Sequence, residues 1–301
     1  MNALRMTRFR ANALLLLTAL IWGSAFVGQS LGMANVGPLS FTALRFALGA
    51  AVVAPLAWLE WRQLQTAGRS PGGVEATWIV ALGSLLCCGV LMQQIGMVST
   101  TVTNAGFLTA LYVPLVPILS WLVQRESPHW VVWPAAAGCL VGTWLLTGAS
   151  MQTLSTGDLW IVFSALPWAV HVLLVGQVAN RLRGAFLLSC GQFAVCAIFS
   201  AGLALGNEAL TVEGLVAASG AIAYTGVLSV GVAFTLQVVG QRHAHPADAA
   251  IILSSETLVA ALFGAWWMGD RLTTHGLAGC ALILACIVAV QLLPQIKTRL
   301  A

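Results

Sequence analysis

The sequence predicts an all-α polytopic membrane protein: ten transmembrane helices in two inverted five-helix repeats, with both termini cytoplasmic. Three observations predict it. Only 7% of the 301 residues are charged, against roughly 25% in soluble domains, while 59% are hydrophobic. Ten apolar segments are each about long enough to cross a bilayer, which takes roughly 20 residues. The chain also repeats itself. Ala137-Gly138-Cys139-Leu140 returns as Ala278-Gly279-Cys280-Ala281, Gln93-Gln94-Ile95-Gly96 as Gln237-Val238-Val239-Gly240, and Trp22 as Trp168, at offsets of 141 to 146 residues. Five spans per repeat force the second copy to lie upside down relative to the first.

The first segment, 11–33, follows Arg5, Arg8 and Arg10. Such a start imitates a signal peptide, but the run exceeds an h-region of ~7–15 residues and reads as an uncleaved span. Segment 38–59 carries Arg45 and Pro55. The link after it holds Gly68-Arg69-Ser70-Pro71-Gly72-Gly73, a flexible surface loop. Segments 76–97, 102–123 and 130–149 complete the first repeat, 11–149. Segments 158–180, 185–206, 214–240, 247–268 and 276–293 form the second, 158–293. The links leave no room for a soluble domain.

The basic residues orient the chain. With the N-terminus inside, eleven of the thirteen basic residues lie in the cytoplasm, Arg271 alone lies outside, and Arg45 lies within a span. Adding or removing one span would destroy this asymmetry. Its location therefore explains the net charge of +4 without a nucleic-acid partner.

Several function classes are excluded. No Gly-x-x-x-x-Gly-Lys loop is present for ATP hydrolysis. Lys297 is the only lysine, so no membrane-buried Schiff base can form. The seven cysteines fall within apolar runs, without Cys-x-x-Cys or zinc spacing. His243 and His245 are too few to hold a metal. No cofactor is expected.

Ionisable residues at membrane depth usually face a bundle interior or a wet cavity. Glu256 lies roughly 13 Å from the cytoplasmic end of the ninth span, near the midplane. Proton carriage, an ammonium contact and a protonated helix-to-helix hydrogen bond all suit it. Its repeat partner is Tyr112. Arg45, about 10 Å below the outer surface, suits either carboxylate recognition or a structural role. His171 suits proton coupling or a neutral hydrogen bond. Asp248, after Pro246, is expected to be an N-cap.

The uncharged polar residues form a second set. Gln93 and Gln94 lie on the third span, Asn104, Thr109 and Tyr112 on the fourth, and Tyr224 and Gln237 on the eighth. A lipid-facing helix would not carry them. With Trp22, Ser24, Trp168, His171, Ser255 and Glu256 they are expected to line one substrate cavity. Pro55, Pro114, Pro117 and Pro167 are expected to kink their helices. Gly138-x-x-x-Gly142 and Gly202-x-x-x-Gly206 are expected to pack helices closely. Trp130, Trp133, Trp266 and Trp267 suit interfacial anchors.

These residues resemble a known family. Ile21-Trp22-Gly23-Ser24-Ala25-Phe26, then Leu44-Arg45-Phe46, then Pro114 and Pro117 before Arg125-Glu126, are similar to the first repeat of the EamA-type branch of the drug/metabolite transporter superfamily. Gly157-Asp158-Leu159-Trp160, Leu166-Pro167-Trp168-Ala169 and Gly269-Asp270-Arg271-Leu272 are similar to its second repeat. Arg125-Glu126 and Gly269-Asp270 depart from the family's usual Gly-Glu. Within the branch the chain is most similar to the YddG-type amino acid exporters. The resemblance implies a cavity formed by spans 1, 3, 4, 6, 8 and 9. It also implies export of aromatic or neutral amino acids, or similar small metabolites, across a bacterial inner membrane.

Two inverted halves around a midplane site suit a secondary transporter working by alternating access. Its partners would be a small-molecule substrate and the bilayer, and a monomer suffices to enclose the site. A channel or lipid scramblase is the alternative, although no ring of charges marks a pore. An intramembrane enzyme would need paired acids or an activated serine, and neither pattern occurs.

Overall fold

The structure, a computed structural model, describes residues 7–69, 71–100, 102–125, 127–146, 155–268 and 273–300. Glu126, the Gly269-Asp270-Arg271-Leu272 motif and the side chain of Asn104 lie outside the described residues. Ten helical spans run in chain order. Span 1 is Arg8–Met33, span 2 Pro38–Thr66 and span 3 Gly73–Met97. Span 4 is built from Val102–Thr109, Tyr112–Leu119 and a π-helical turn, Ser120–Gln124. Span 5 is Val132–Leu146, span 6 Thr156–Leu182 and span 7 Ala185–Asn207. Span 8 joins Val212–Tyr224, a π-helical stretch Thr225–Phe234, and Thr235–Gln241. Span 9 joins Pro246–Leu253, Ser255–Phe263 and a π-helical turn Gly264–Met268, and span 10 is Thr274–Leu300. Eight spans are long apolar helices, and spans 5 and 10 carry the shorter apolar runs Val132–Gly142 and Thr274–Val290.

Packing follows the duplication. Span 2 packs on span 7 and span 5 on span 10, each against its own counterpart. Span 1 packs on spans 8 and 9, and span 6 packs on spans 3 and 4, the same relation with the repeats exchanged. Spans 2 and 7 also cap one another. Glu60, in the last turns of span 2, accepts from the backbone N–H groups of Ala185 (3.0 Å) and Leu187 (2.8 Å) at the start of span 7. Glu208, just after span 7, accepts from Leu39 (2.9 Å) and Ser40 (2.7 Å) at the start of span 2. Each carboxylate meets the free donors and the positive end of the other helix.

Spans 4 and 9 are each interrupted, at Ala110–Leu111 and at Ser254; Pro114 was expected to kink span 4, and the break in span 9 was not expected. Two expectations need correction. Asp248 is not an N-cap; His245 takes that role, its Nδ1 accepting from the Ala247 N–H at 3.3 Å. Asp248 instead pairs with Arg8 at 2.7 Å, tying the start of span 9 to the start of span 1. The two glycine pairs also differ. Gly138 and Gly142 face Cys286 and Ile283 of span 10, where a Cβ would come within 2.4 and 2.8 Å of its neighbours. Gly202 and Gly206 have open space beside them, so they bring no described helix closer.

The breaks set the geometry of the centre. In span 4, Pro114 has no N–H to give the Ala110 carbonyl, and Val113 N–H takes it at 3.0 Å instead. In span 9, Thr257 N–H reaches the Ser254 carbonyl at 3.1 Å, the same tightened bond. Tyr112 and Glu256 therefore each lie in the first turn of a half-helix. The π-helical turns that follow start at Ser120 and Gly264, an offset of 144 residues (264 less 120).

Candidate functional site: a central cavity between the repeats

Between the repeats lies a cavity walled by seven spans. Trp22, Phe26 and Gln29 come from span 1, Arg45 from span 2, Val90 and Gln93 from span 3, and Thr109 and Tyr112 from span 4. Trp168 and Val172 come from span 6, Ser229 and Phe234 from span 8, and Glu256 from span 9. About 40 Å³ is open to the centre of a water molecule. At about 10–15 Å³ per site this holds a few waters.

Aromatic rings form the floor toward the Arg-rich end. Phe234 lies 4.5 Å from Trp22 and stacks on Trp168 at 6.0 Å and 12°, centroid to centroid. Gly89 makes room for the Trp168 indole, since a Cβ there would lie 3.2 Å from the ring. Trp22 is pinned by its Nε1, which donates to the Ser229 carbonyl at 3.3 Å. That carbonyl belongs to the π-helical stretch, where the ordinary hydrogen-bond ladder is relaxed. Gly23 lets span 1 meet span 9 closely, because a Cβ would lie 2.5 Å from the Glu256 carbonyl oxygen.

The polar wall is partly self-satisfied. Arg45 is 2% exposed and donates from Nη1 to Gln29 Oε1 at 2.9 Å. Its guanidinium also lies over the rings of Phe41 (5.6 Å) and Phe46 (5.2 Å). Gln94 Nε2 donates to the same Gln29 oxygen at 2.6 Å, and Gln93 Nε2 donates to Thr109 Oγ1 at 2.8 Å. The rest is unsatisfied: Arg45 Nε, the Tyr112 hydroxyl and Trp168 Nε1 are buried without a partner among the described residues. Glu256 is buried, yet no described residue hydrogen-bonds its carboxyl or pairs with it, Arg45 included. The cavity thus holds a cation and an acid that do not touch.

Of the residues expected to share one cavity, the structure brings Trp22, Gln93, Thr109, Tyr112, Trp168 and Glu256 to its wall, with Arg45 beside them. Apart from Asn104, whose side chain lies outside the described residues, the others do not line it. Ser24 and Tyr224 bond each other at 2.6 Å between spans 1 and 8. Gln94 sits behind Gln29. His171 bonds Gln192 at 2.9 Å between spans 6 and 7. Ser255 donates back to the Ile252 carbonyl at 2.7 Å. Gln237 is buried beyond the floor. Phe26, Gln29, Val90, Val172, Ser229 and Phe234 were missed. Gln29 and Phe26 lie seven and four residues after Trp22, on one helical face, and that spacing was the available signal.

Comparison with known proteins agrees with this architecture. The EamA-like transporter family model matches residues 9–148 and again 155–291. An uncharacterized transporter of Archaeoglobus fulgidus is 29% identical over 288 residues, covering 95% of this chain and 87% of the relative. The uncharacterized transporter YwfM of Bacillus subtilis is 24% identical over 290 residues, covering 93% of each. A solved crystal structure superposes with a TM-score of 0.77 at 20% identity, over 97% of this chain and 99% of the other, and supports the fold. With both repeats matched and a cavity between them, the chain is a multi-pass membrane protein that belongs to the EamA-like transporter family.

Proposed function

We propose that this transporter exports amino acids, aromatic or neutral, or similar small zwitterions across a bacterial inner membrane by alternating access. One observation carries the reading: Arg45 and Glu256 line one cavity without pairing. Two buried ionisable groups held apart carry a desolvation cost that Gln29 and the rings offset in part at Arg45 and protonation offsets at Glu256, and that a bridging ligand would offset at both. A zwitterion bridges them, its carboxylate toward Arg45 and its ammonium toward Glu256. Gln29, Gln93 and the Tyr112 hydroxyl complete its hydrogen bonds, and Trp22, Trp168 and Phe234 suit an apolar or aromatic side chain. Glu256 is also the group placed to exchange a proton for the ammonium.

A site walled by spans of both repeats passes a substrate when the halves move relative to one another, as a carrier requires and an open pore does not. Counterflow in proteoliposomes with a panel of labelled amino acids, run with and without a pH gradient, tests this. The expected result is saturable counterflow of aromatic and neutral amino acids, lost in Arg45→Ala. Non-saturating ion current, or an absence of amino acid counterflow, would overturn it.

A further inference from the structure

Beyond the aromatic floor, toward the Arg-rich end, the chain buries a second group of amides. Gln237 is fully buried, and neither its Oε1 nor its Nε2 meets a partner among the described residues. Gln241, one turn on, donates to the Val172 carbonyl at 2.8 Å and leaves its Oε1 unpartnered. Asn12 of span 1 leaves its buried Oδ1 unpartnered as well. Buried amides are normally satisfied, so three orphaned ones towards the same end of the molecule call for a reason.

The register of spans 1 and 8 locates them. Trp22 bonds the Ser229 carbonyl, Thr18 bonds the Ala233 carbonyl at 3.1 Å, and Gly240 packs against Ala11 and Leu15. Gln237 falls between the last two levels, about one turn past the floor residue Phe234. It is also the repeat counterpart of Gln93, which already faces the cavity. The two glutamines occupy equivalent places in the two inverted halves, one lining open space and the other enclosed.

We infer that Asn12, Gln237 and Gln241 form the wall of a second half-site, which opens toward the Arg-rich face when the halves rock the other way. Its amides would take the polar head group of the same substrate. The Arg8–Asp248 ion pair, joining spans 1 and 9 at that face, holds it shut in the present state. The inference rests on alternating access but not on the identity of the substrate.

Thiol labelling in proteoliposomes tests it without any transport assay. Gln237→Cys and Val238→Cys would be treated from the Arg-rich face with a charged methanethiosulfonate, and labelling read peptide by peptide so that native cysteines do not interfere. Val238 is the control, equally buried but within an apolar cluster. Gln237→Cys should label about tenfold faster than Val238→Cys, and adding Asp248→Asn should raise its rate further by shifting the population. Gln241→Cys serves as a second reporter should Gln237→Cys fail to reconstitute. Labelling no faster than Val238→Cys at both positions, with and without Asp248→Asn, would overturn the half-site. Labelling with no amino acid counterflow would sink the proposed substrate and leave the half-site standing.

Discussion

Spans 4 and 9 break at equivalent points by different chemistry. In span 4 the break is a proline effect, since Pro114 cannot donate to Ala110. In span 9 the one proline, Pro246, opens the helix far from the break, and hydroxyls do the loosening. Ser254, Ser255 and Thr257 donate back to the carbonyls of Ile251, Ile252 and Ser254 at 2.7, 2.7 and 2.8 Å. Such back-bonding bends helices. After each break the two repeats differ again, with Tyr112 in one and Glu256 in the other. The lesson is that the fold constrains the break, while each repeat is free in how it makes it and what it presents there.

The largest expected effect comes from exchanging what is presented. Glu256→Gln keeps the shape but removes the acid, and should lower transport kcat/KM by about 100-fold, or roughly 2.7 kcal/mol. Tyr112→Phe removes one hydroxyl at the equivalent place and should cost about tenfold. Equal losses in a proteoliposome uptake assay would show that the asymmetry is unimportant.

The next effect concerns how closely the repeats approach. Gly23 of span 1 corresponds to Ala169 of span 6. Gly23→Ala forces a Cβ toward the Glu256 carbonyl oxygen, 2.5 Å away, and should destabilise the protein by about 2.5 kcal/mol. Ala169→Gly should cost only about 1 kcal/mol, through backbone entropy and a lost methyl. Thermal unfolding in detergent separates the two, and similar Tm losses would contradict the closer packing of spans 1 and 9.

Where the repeats agree, mutations should agree. Glu60→Gln and Glu208→Gln each weaken two charge-assisted bonds to a helix start, and each should cost about 2 kcal/mol. A large effect from one alone would break the symmetry of the reciprocal caps. The smallest effect is expected at the break itself. Pro114→Ala restores a backbone donor and should raise stability by about 1 kcal/mol while slowing turnover. Faster turnover would remove the break in span 4 from the moving parts.

The ten spans and their inversion were legible because they rest on coarse quantities. Hydropathy over about 20 residues fixes a span, and the basic residues fix its direction. The break in span 4 was half legible, since Pro114 and Pro117 announce a kink. The break in span 9 was not, because serines in a helix carry no comparable signal. The cavity was legible where a residue was costly to bury, as at Glu256, Arg45 and Gln93. It was not legible for Phe234 or the Ser229 carbonyl. Phe234 looks like any apolar residue of span 8, and a backbone group has no sequence signature. Nor does the sequence tell a polar residue that faces a cavity from one that bonds a neighbouring helix. Tyr224, bonded to Ser24, and His171, bonded to Gln192, are of the second kind. The reciprocal caps of Glu60 and Glu208 escaped notice because they join residues far apart in the chain.

The central claim is that Arg45 and Glu256 receive the two ends of one zwitterion. Competition binding to the purified transporter tests it most directly, with phenylalanine, its carboxamide and its N-acetyl derivative as the three ligands. Phenylalanine should bind, and each blocked derivative should bind at least about 30-fold more weakly, because a buried charge then loses its partner. Arg45→Ala should remove the discrimination against the carboxamide, and Glu256→Gln that against the N-acetyl compound. Equal binding of all three ligands by the unaltered protein would contradict the account.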